Sequence, residues 1–266
     1  MFIEETYFQK RARKKVLKWF KKLENNNNGK FDKNGELLFV QNVFNYYSSK
    51  GLEEITFFDI GVNKGEYTDF VLKESLKKNI KCKVYGFEPS KYCFNLLKEK
   101  YNGNDNVVLV NKGLSDKNEK VRLHYDVEGS GIASVYKRDL FDKNIEMNES
   151  EEIEIIRLEE YLKENKIDRI EFMKIDIEGN EVNAFKGMGE FLAKDKIDFI
   201  QFEYGGANID SRTSLKEIYR NFRAKDFKIA KIMPKGLMLR EYVEWMENFQ
   251  NANYVAISSK VEKSKR

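Results

Sequence analysis

Several residue types and patterns that mark large protein classes are scarce or missing here. The 266 residues hold two cysteines, two prolines and one histidine. Cys82 and Cys93 lack metal-motif spacing. No apolar h-region follows Met1, so they are read as reduced thiols of a cytoplasmic protein rather than as a disulfide framework. No apolar stretch reaches transmembrane length. A Gly-x-Gly-x-x-Gly turn is absent, which argues against a nicotinamide oxidoreductase. There is no Asn/Asp-Pro-Pro-Tyr-like acceptor motif, and a net charge of +4 is too small to argue a nucleic-acid partner by itself. Pro89 and Pro234 are the only prolines, and no internal repeat is evident. Hydrophobic residues at 41% and charged residues at 35% instead describe a globular chain, long enough for one large α/β domain with a full core.

The most informative stretch is Phe57-Phe58-Asp59-Ile60-Gly61-Val62-Asn63-Lys64-Gly65. The apolar run Ile55 to Ile60 reads as a buried strand and Glu66 to Leu76 as an amphipathic helix. Glycines between them let backbone approach a ligand at the helix N-terminus. A second strand, Cys82 to Phe87, ends in Glu88-Pro89, which sets an acid where βαβ units commonly hold a ribose. A carboxylate leading the turn would repel a pyrophosphate and attract a sulfonium, so the residues favour S-adenosylmethionine over a dinucleotide. The plainer reading of Asp59 is a cap for the helix.

Four segments in order, FFDIGVNKGEYT, VYGFEPS, VNKGLSD and FMKIDIEGNEVNAFKGM, resemble the FkbM family of S-adenosylmethionine-dependent methyltransferases. The resemblance runs from about Ile55 to Glu203. It implies a Rossmann-like class I methyltransferase fold: an α/β architecture with a central, mostly parallel sheet and helices on both faces, here with an N-terminal helical segment added. It assigns Asp59, Gly61, Asn63 and Gly65 to the cofactor turn and Glu88, with Pro89, to the ribose. It places Asn111, Gly113 and Leu114 near the adenine. Lys174, Asp176, Glu178 and Gly179 match its strand-four motif, with Asp176 counted among the cofactor residues as well. It usually implies O-methylation, of a hydroxyl on a sugar, glycan or natural-product small molecule.

Residues 1–50 are expected to form a helical extension packing on the core, and 51–266 the methyltransferase domain with an insertion at about 120–157. Lys10 to Lys22 holds eight basic residues, while Phe8, Ala12, Val16, Trp19, Phe20 and Leu23 recur at helical spacing. Three partners suit such a helix over residues 8–23: the domain itself or a second subunit, an anionic membrane or glycan carrier, or nucleic acid. The last is disfavoured because no stacking platform accompanies the charge. Asn25 to Gly29 is a linker, and Glu36 to Tyr47 a second helix. Later helices are expected at 90–101, 158–165, 181–188 and 215–222, and strands at 106–110, 170–175, 197–202, 227–232 and 254–258. The last two are expected to be antiparallel from the resemblance. Within the insertion, 121–125 and 152–156 alternate like strands, and the long loop between them reads as a substrate-facing lid or a surface hairpin.

Strand order predicts that Asp59, Glu88, Asp176 and Glu203 gather at one sheet edge. A hydroxyl acceptor gains from a base. Asp176 is the first candidate, with Glu178 and His124 behind it; the structural alternative for Asp176 is a helix cap. Lys174, two residues earlier, shares a strand face with Asp176 and either pairs with it or orients the acceptor. His124 is the only histidine, and its alternative is a structural role on an alternating strand. Asp176, Glu178 and Glu203 could offer oxygens to a hard cation, but no metal is expected. Tyr125, Tyr136, Tyr204 and Trp245 are candidates to stack on a sugar. A small-molecule or glycan acceptor, no nucleic acid, and possible homo-oligomers complete the expectation. The competing function is a non-catalytic module that docks through the basic helix.

Overall fold

A computed structural model describes residues 3–263. After helices α1 (Tyr7–Leu23) and α2 (Glu36–Ser49), the chain alternates strand and helix: β1 (Glu54–Ile60), α3 (Glu66–Lys78), β2 (Lys81–Phe87), α4 (Lys91–Lys100) and β3 (Val107–Val110). A short β4 (Gly113–Leu114) precedes β5 (Glu119–Tyr125) and β6 (Glu149–Ile156). Then follow α5 (Leu158–Glu164), β7 (Ile170–Ile175), α6 (Glu181–Gly187), β8 (Ile197–Tyr204), α7 (Ala207–Asp210) and α8 (Leu215–Arg223). The end of the chain forms β9 (Phe227–Met233), β10 (Gly236–Leu239), β11 (Ala252–Ser258) and α9 (Ser259–Lys263).

Local chemistry explains the better-defined helices. Helix α3 carries Glu66 and Asp69 in its first turn and Lys77 and Lys78 in its last, each complementing the helix dipole. Helix α8 starts where the Ser214 side chain accepts from the Glu217 N–H. It buries Leu215, Ile218, Tyr219 and Phe222, one stripe at helical spacing.

Eight strands form the main sheet in the order β10-β9-β11-β8-β7-β1-β2-β3. Strands β3, β2, β1, β7 and β8 run parallel, and β11 inserts antiparallel between β8 and β9. The Rossmann-like sheet and the antiparallel pairing near the C-terminus therefore match expectation. Successive side chains on a strand face opposite ways. Phe58 joins the cluster beneath α5, α6 and α8, with Phe87, Met173 and Phe202. Phe57 joins the other cluster, with Phe172, Val84 and the α2 residues Val43 and Phe44. Burial on both faces is why these strands read as continuous apolar runs.

The chain goes from β1 outward to β2 and β3, then returns to lay β7 and β8 on the other side of β1. The order reverses between β1 and β7, where open α/β sheets form a ligand crevice outside the strand C-termini. Asp59 and Lys174 are register partners across this seam. The insertion strands β5 and β6 join β4, which precedes them, in a separate sheet of order β4-β6-β5. The two-residue strand β4 and the four-residue β10 have no signal in the sequence pattern, because such short segments show no periodicity.

Within residues 1–50 the two helices pack differently on the core. Helix α2 buries Phe39, Val40, Val43, Phe44 and Tyr47, so it is an integral layer of the domain. Helix α1 buries no residue. What is fixed is the chain just beyond it. Lys231 on β9 is 2% exposed, and its Nζ lies 3.3 Å from Glu24 Oε2 and donates to Asn26 Oδ1 at 2.6 Å. Arg240 reaches both Glu24 oxygens. Asn25 Nδ2 donates to the Asn34 and Ile232 carbonyls. Among the described residues no helix is long and apolar enough to cross a membrane.

Removing Glu24 leaves the buried Lys231 ammonium without its counter-charge. Glu24→Ala is expected to destabilise the domain by about 3 kcal/mol. Urea unfolding with an unchanged m-value checks this, and a loss below about 0.5 kcal/mol would contradict it.

Candidate functional site

The site begins at the turn that follows β1. Gly61, Asn63 and Gly65 all have positive φ, at 84°, 51° and 78°. A Cβ on Gly61 would stand 2.0 Å from the Asp176 carbonyl oxygen, so glycine is what lets the ends of β1 and β7 meet. Glu88, at the end of β2, ties two turns together. Its Oε2 accepts from the Asn63 N–H at 2.7 Å and its Oε1 from the Ser90 N–H at 2.9 Å. Burial pushes Glu88 up to about 7, against the stabilising pull of these two donors.

A cavity of about 900 Å³ opens here, at the upper end of small-molecule sites. Gly61, Asn63, Glu88, Pro89, Gly113, Leu114, Lys174, Asp176 and Glu178 line it. Three residues assigned to the cofactor do not line it: Asp59, Gly65 and Asn111. Asp59 does not line the cavity: it is 0% exposed, beneath the turn, and accepts from Thr68 Oγ1 at 2.6 Å. Burial raises it to about 6, with the Lys174 charge working the other way. The plainer reading of a helix cap is not met either: α3 has no side-chain cap, and Asp59 bonds the Thr68 side chain within that helix. Asn111 is also absent from the lining. Its Nδ2 donates to the Glu88 and Pro89 carbonyls at 2.9 and 3.1 Å, so it holds the shape of that turn.

Lys174 and Asp176 form the centre. Lys174 Nζ donates to Asp176 Oδ2 at 2.9 Å and sits 5.1 Å over the Tyr67 ring. Burial works against the Lys174 ammonium, but Asp176, Asp59 and Glu36 outweigh it and raise its pKa. Burial likewise opposes ionisation of Asp176. The Lys174 charge, with hydrogen bonds from Lys174 and Glu203, holds it below the usual carboxylate value. Its neighbour Glu203 is driven well up by burial and then by the Asp176 charge. Burial, and then Asp176, push Glu178 up to about 8 against Arg138.

Asp176, Glu178 and Glu203 each bring an oxygen within 4.8 Å of the others, an arrangement a hard cation could use. Lys174 and Arg138 already place two positive charges beside that trio. Glu181 Oε1 accepts from the Ile177 and Gly179 N–H groups, each at 3.2 Å, and so organises the turn into α6.

The insertion folds onto the site. Asn63 Nδ2 donates to the Ser130 carbonyl, Ser134 Oγ to the Glu178 carbonyl, and Tyr136 OH to Asn180 Oδ1. The Arg138 side chain, 4% exposed, bridges Glu178 at 2.6 Å and Asp210 at 3.2 Å. Leu123, Tyr125, Ile153 and Ile155 form its wall of the cavity. His124 falls between two of them and does not line it, which corrects its assignment as a base. Its backbone pairs with Ser134, and burial lowers its pKa. Tyr136 anchors the loop, while Tyr204 donates to Glu247 outside the lining.

Sequence reasoning missed Phe31, Glu36 and Tyr67 as cavity residues and Arg138 as the clamp. Tyr67 and Glu36 meet through Gln201: Tyr67 OH donates to Gln201 Oε1, and Gln201 Nε2 donates to Glu36 Oε2, both at 2.6 Å. Glu36 and Tyr67 look like ordinary helix residues in the pattern, and Arg138 sits in a charged loop without period.

Two results are expected from this geometry. Arg138→Ala strips Glu178 and Asp210 of their shared cation. Amide exchange should accelerate across 126–148 while β1 and β7 stay protected; unchanged exchange in the loop would refute the clamp. The second concerns pH. The ordinary glutamate value is 4.5, and Glu88 and Glu181 are raised to about 7 in the fold. Between these values the folded chain holds more protons than the unfolded one, so the stability from these groups is full below the ordinary value and is lost as pH rises. The melting temperature of the ligand-free protein should fall between about pH 5 and pH 8, with a shallower slope in Glu88→Gln. A midpoint that rises over this range would contradict the assignment.

The sequence profile described as "Methyltransferase FkbM domain" matches residues 59–229, more than half of the chain. No curated protein matches it. Among solved structures it is similar to the plantazolicin methyltransferase BpumL, at 10% identity, 95% of this chain, 92% of that one and a TM-score of 0.44. An Aquifex aeolicus SAM dependent methyltransferase gives 12% identity, 91% and 97% coverage and a TM-score of 0.41. A Methanococcus jannaschii fibrillarin pre-rRNA processing protein gives 14%, 78% and 67% coverage and a TM-score of 0.42. These likenesses are loose, and nothing about the acceptor follows from them.

Proposed function

Since the chain belongs to the FkbM methyltransferase family, whose profile spans residues 59–229, we propose that it binds S-adenosylmethionine and O-methylates a hydroxyl of a sugar, glycan or natural-product small molecule. The cofactor, when bound, supplies a methyl group on a positively charged sulfur. The residues around the cavity suit it. Each Glu88 oxygen accepts one backbone N–H and keeps acceptor capacity for a ribose hydroxyl. Gly61 and Asn63 line the turn side of the cavity, while Gly65 packs closely against Tyr101 and Leu97 behind it. Pro89, Gly113 and Leu114 give a small, largely apolar surface for the base.

The observation that carries the hydroxyl reading is Asp176. It lines the cavity beyond the turn and is kept ionised by Lys174. A carboxylate held this way can accept the proton of an acceptor hydroxyl as the oxygen becomes a nucleophile. Lys174 fixes its orientation, and the folded insertion limits water at the reacting oxygen. Glu178 is tied to Arg138 and serves as a wall of the acceptor side.

Isothermal titration with S-adenosylmethionine tests the first half. Glu88→Gln is expected to weaken binding by roughly tenfold or more, since a charge-assisted hydrogen bond to the ribose is lost. No heat with the wild-type chain would sink the cofactor reading. Methyl transfer to a panel of saccharides and polyketide alcohols tests the second half. Asp176→Asn is expected to lower turnover by about 10²–10⁴-fold and leave cofactor affinity within about threefold. Undiminished turnover would remove Asp176 as the base. Cofactor binding without turnover on any acceptor would instead favour a non-catalytic docking module.

A further inference from the structure

Helix α1 is the largest feature that the cavity and its chemistry do not use. It is 17 residues long, begins with a capping box between Thr6 and Gln9, and has no buried residue. Phe8, Val16 and Trp19 are 79%, 65% and 67% exposed. With Ala12, Phe20 and Leu23 they recur at i+3 and i+4 spacing and so share one face. Lys10, Arg11, Arg13, Lys14, Lys15, Lys18, Lys21 and Lys22 occupy the remainder, and α1 contains no acidic residue. The chain's net charge is +4 while these eight residues carry +8, so everything outside them is net −4. The positive charge belongs to this helix rather than to the protein as a whole.

Isolated apolar side chains on a surface need no explanation, but a continuous stripe along an unpacked helix does. The stripe also continues onto the domain. Phe20 meets the half-exposed Trp245 edge-on at 6.0 Å, and Arg240 lies 5.5 Å over the Trp245 ring. The occupant has to satisfy apolar surface and strong positive charge together. Nucleic acid would pair with the lysines and leave the aromatic stripe in water. A second copy joined stripe to stripe would bring two helices of +8 side by side. An anionic bilayer satisfies both: the stripe enters the acyl boundary, Trp19 sits at the interface, and the lysine stems reach the headgroups.

We propose that α1 docks the protein on an anionic lipid surface. The helix lies in the interface, and the body hangs from the buried Glu24–Lys231–Arg240 joint at its C-terminal end. This arrangement also sets where the cavity sits. Gly29 and Phe31, just beyond the joint, line the cavity, so its rim lies within roughly 20–30 Å of the helix end by the reach of the chain. The proposal stands whether or not the methyl acceptor is a sugar.

The test uses the full chain with vesicles of phosphatidylglycerol and phosphatidylcholine, against phosphatidylcholine alone. Flotation should show roughly tenfold or more tighter binding to the anionic vesicles, weakened by high salt. In a Trp245→Phe background the remaining Trp19 emission should shift to the blue on binding. Val16→Glu with Trp19→Glu should abolish binding. Because α1 buries nothing, the melting curve and S-adenosylmethionine titration of that variant should match the parent, which separates this result from any failure of the methyltransferase reading. Three outcomes would overturn the proposal: equal or no binding to the two vesicle types, self-association by sedimentation that the double variant abolishes, or binding to duplex DNA tighter than to anionic vesicles.

Discussion

Lys174 carries its ammonium into the seam between β1 and β7, where Asp176, Asp59 and Glu36 all act on it. A buried cation is tolerated only with such partners. Each partner belongs to a different part of the architecture. Asp59 lies under the turn after β1, Asp176 closes β7, and Glu36 opens α2, linked through Gln201 to β8. The charge of Lys174 holds Asp176 below the usual carboxylate value, while burial and then the Asp176 charge raise Glu203. The sheet order puts this seam where the strand order reverses, between β1 and β7. The electrostatics of the cavity therefore follow from the topology.

The insertion completes the site by the same kind of contact. Arg138 crosses from the loop to Glu178 and Asp210, and Ser134 and Asn63 add hydrogen bonds between loop and scaffold. These are polar attachments to a rigid sheet, with a small apolar patch of Leu123, Ile153 and Ile155 behind them. Such a wall can hold one shape while leaving room for a ligand. Helix α1 is arranged the opposite way, with a fixed root and a free apolar face.

Much of the sheet was legible in the chain because its strands are buried on both faces and its turns are marked by glycine. Ile55 to Ile60 and Ile170 to Ile175 stand out as apolar runs, and Glu88 is placed by its position at a strand tip. The direction of a side chain is harder to read. Asp59 has the right residue type at the right spacing, yet it points under the turn and not into the cavity. His124 is one residue away from the lining, and on a strand one residue means the opposite face. Arg138 had no signal, since its partners lie 40 and 72 residues away along the chain.

By itself, the sequence determined the α/β architecture, the family, and the small set of acids at the strand ends. These depend on local periodicity, on glycine at strained turns, and on residue order, all written along one dimension. Tertiary structure alone decided which of those acids face the cavity, which are ionised, and that α2 belongs to the core while α1 stands clear of it. Those outcomes depend on burial and on charges brought together from distant segments, and neither is defined until the sheet has closed around them.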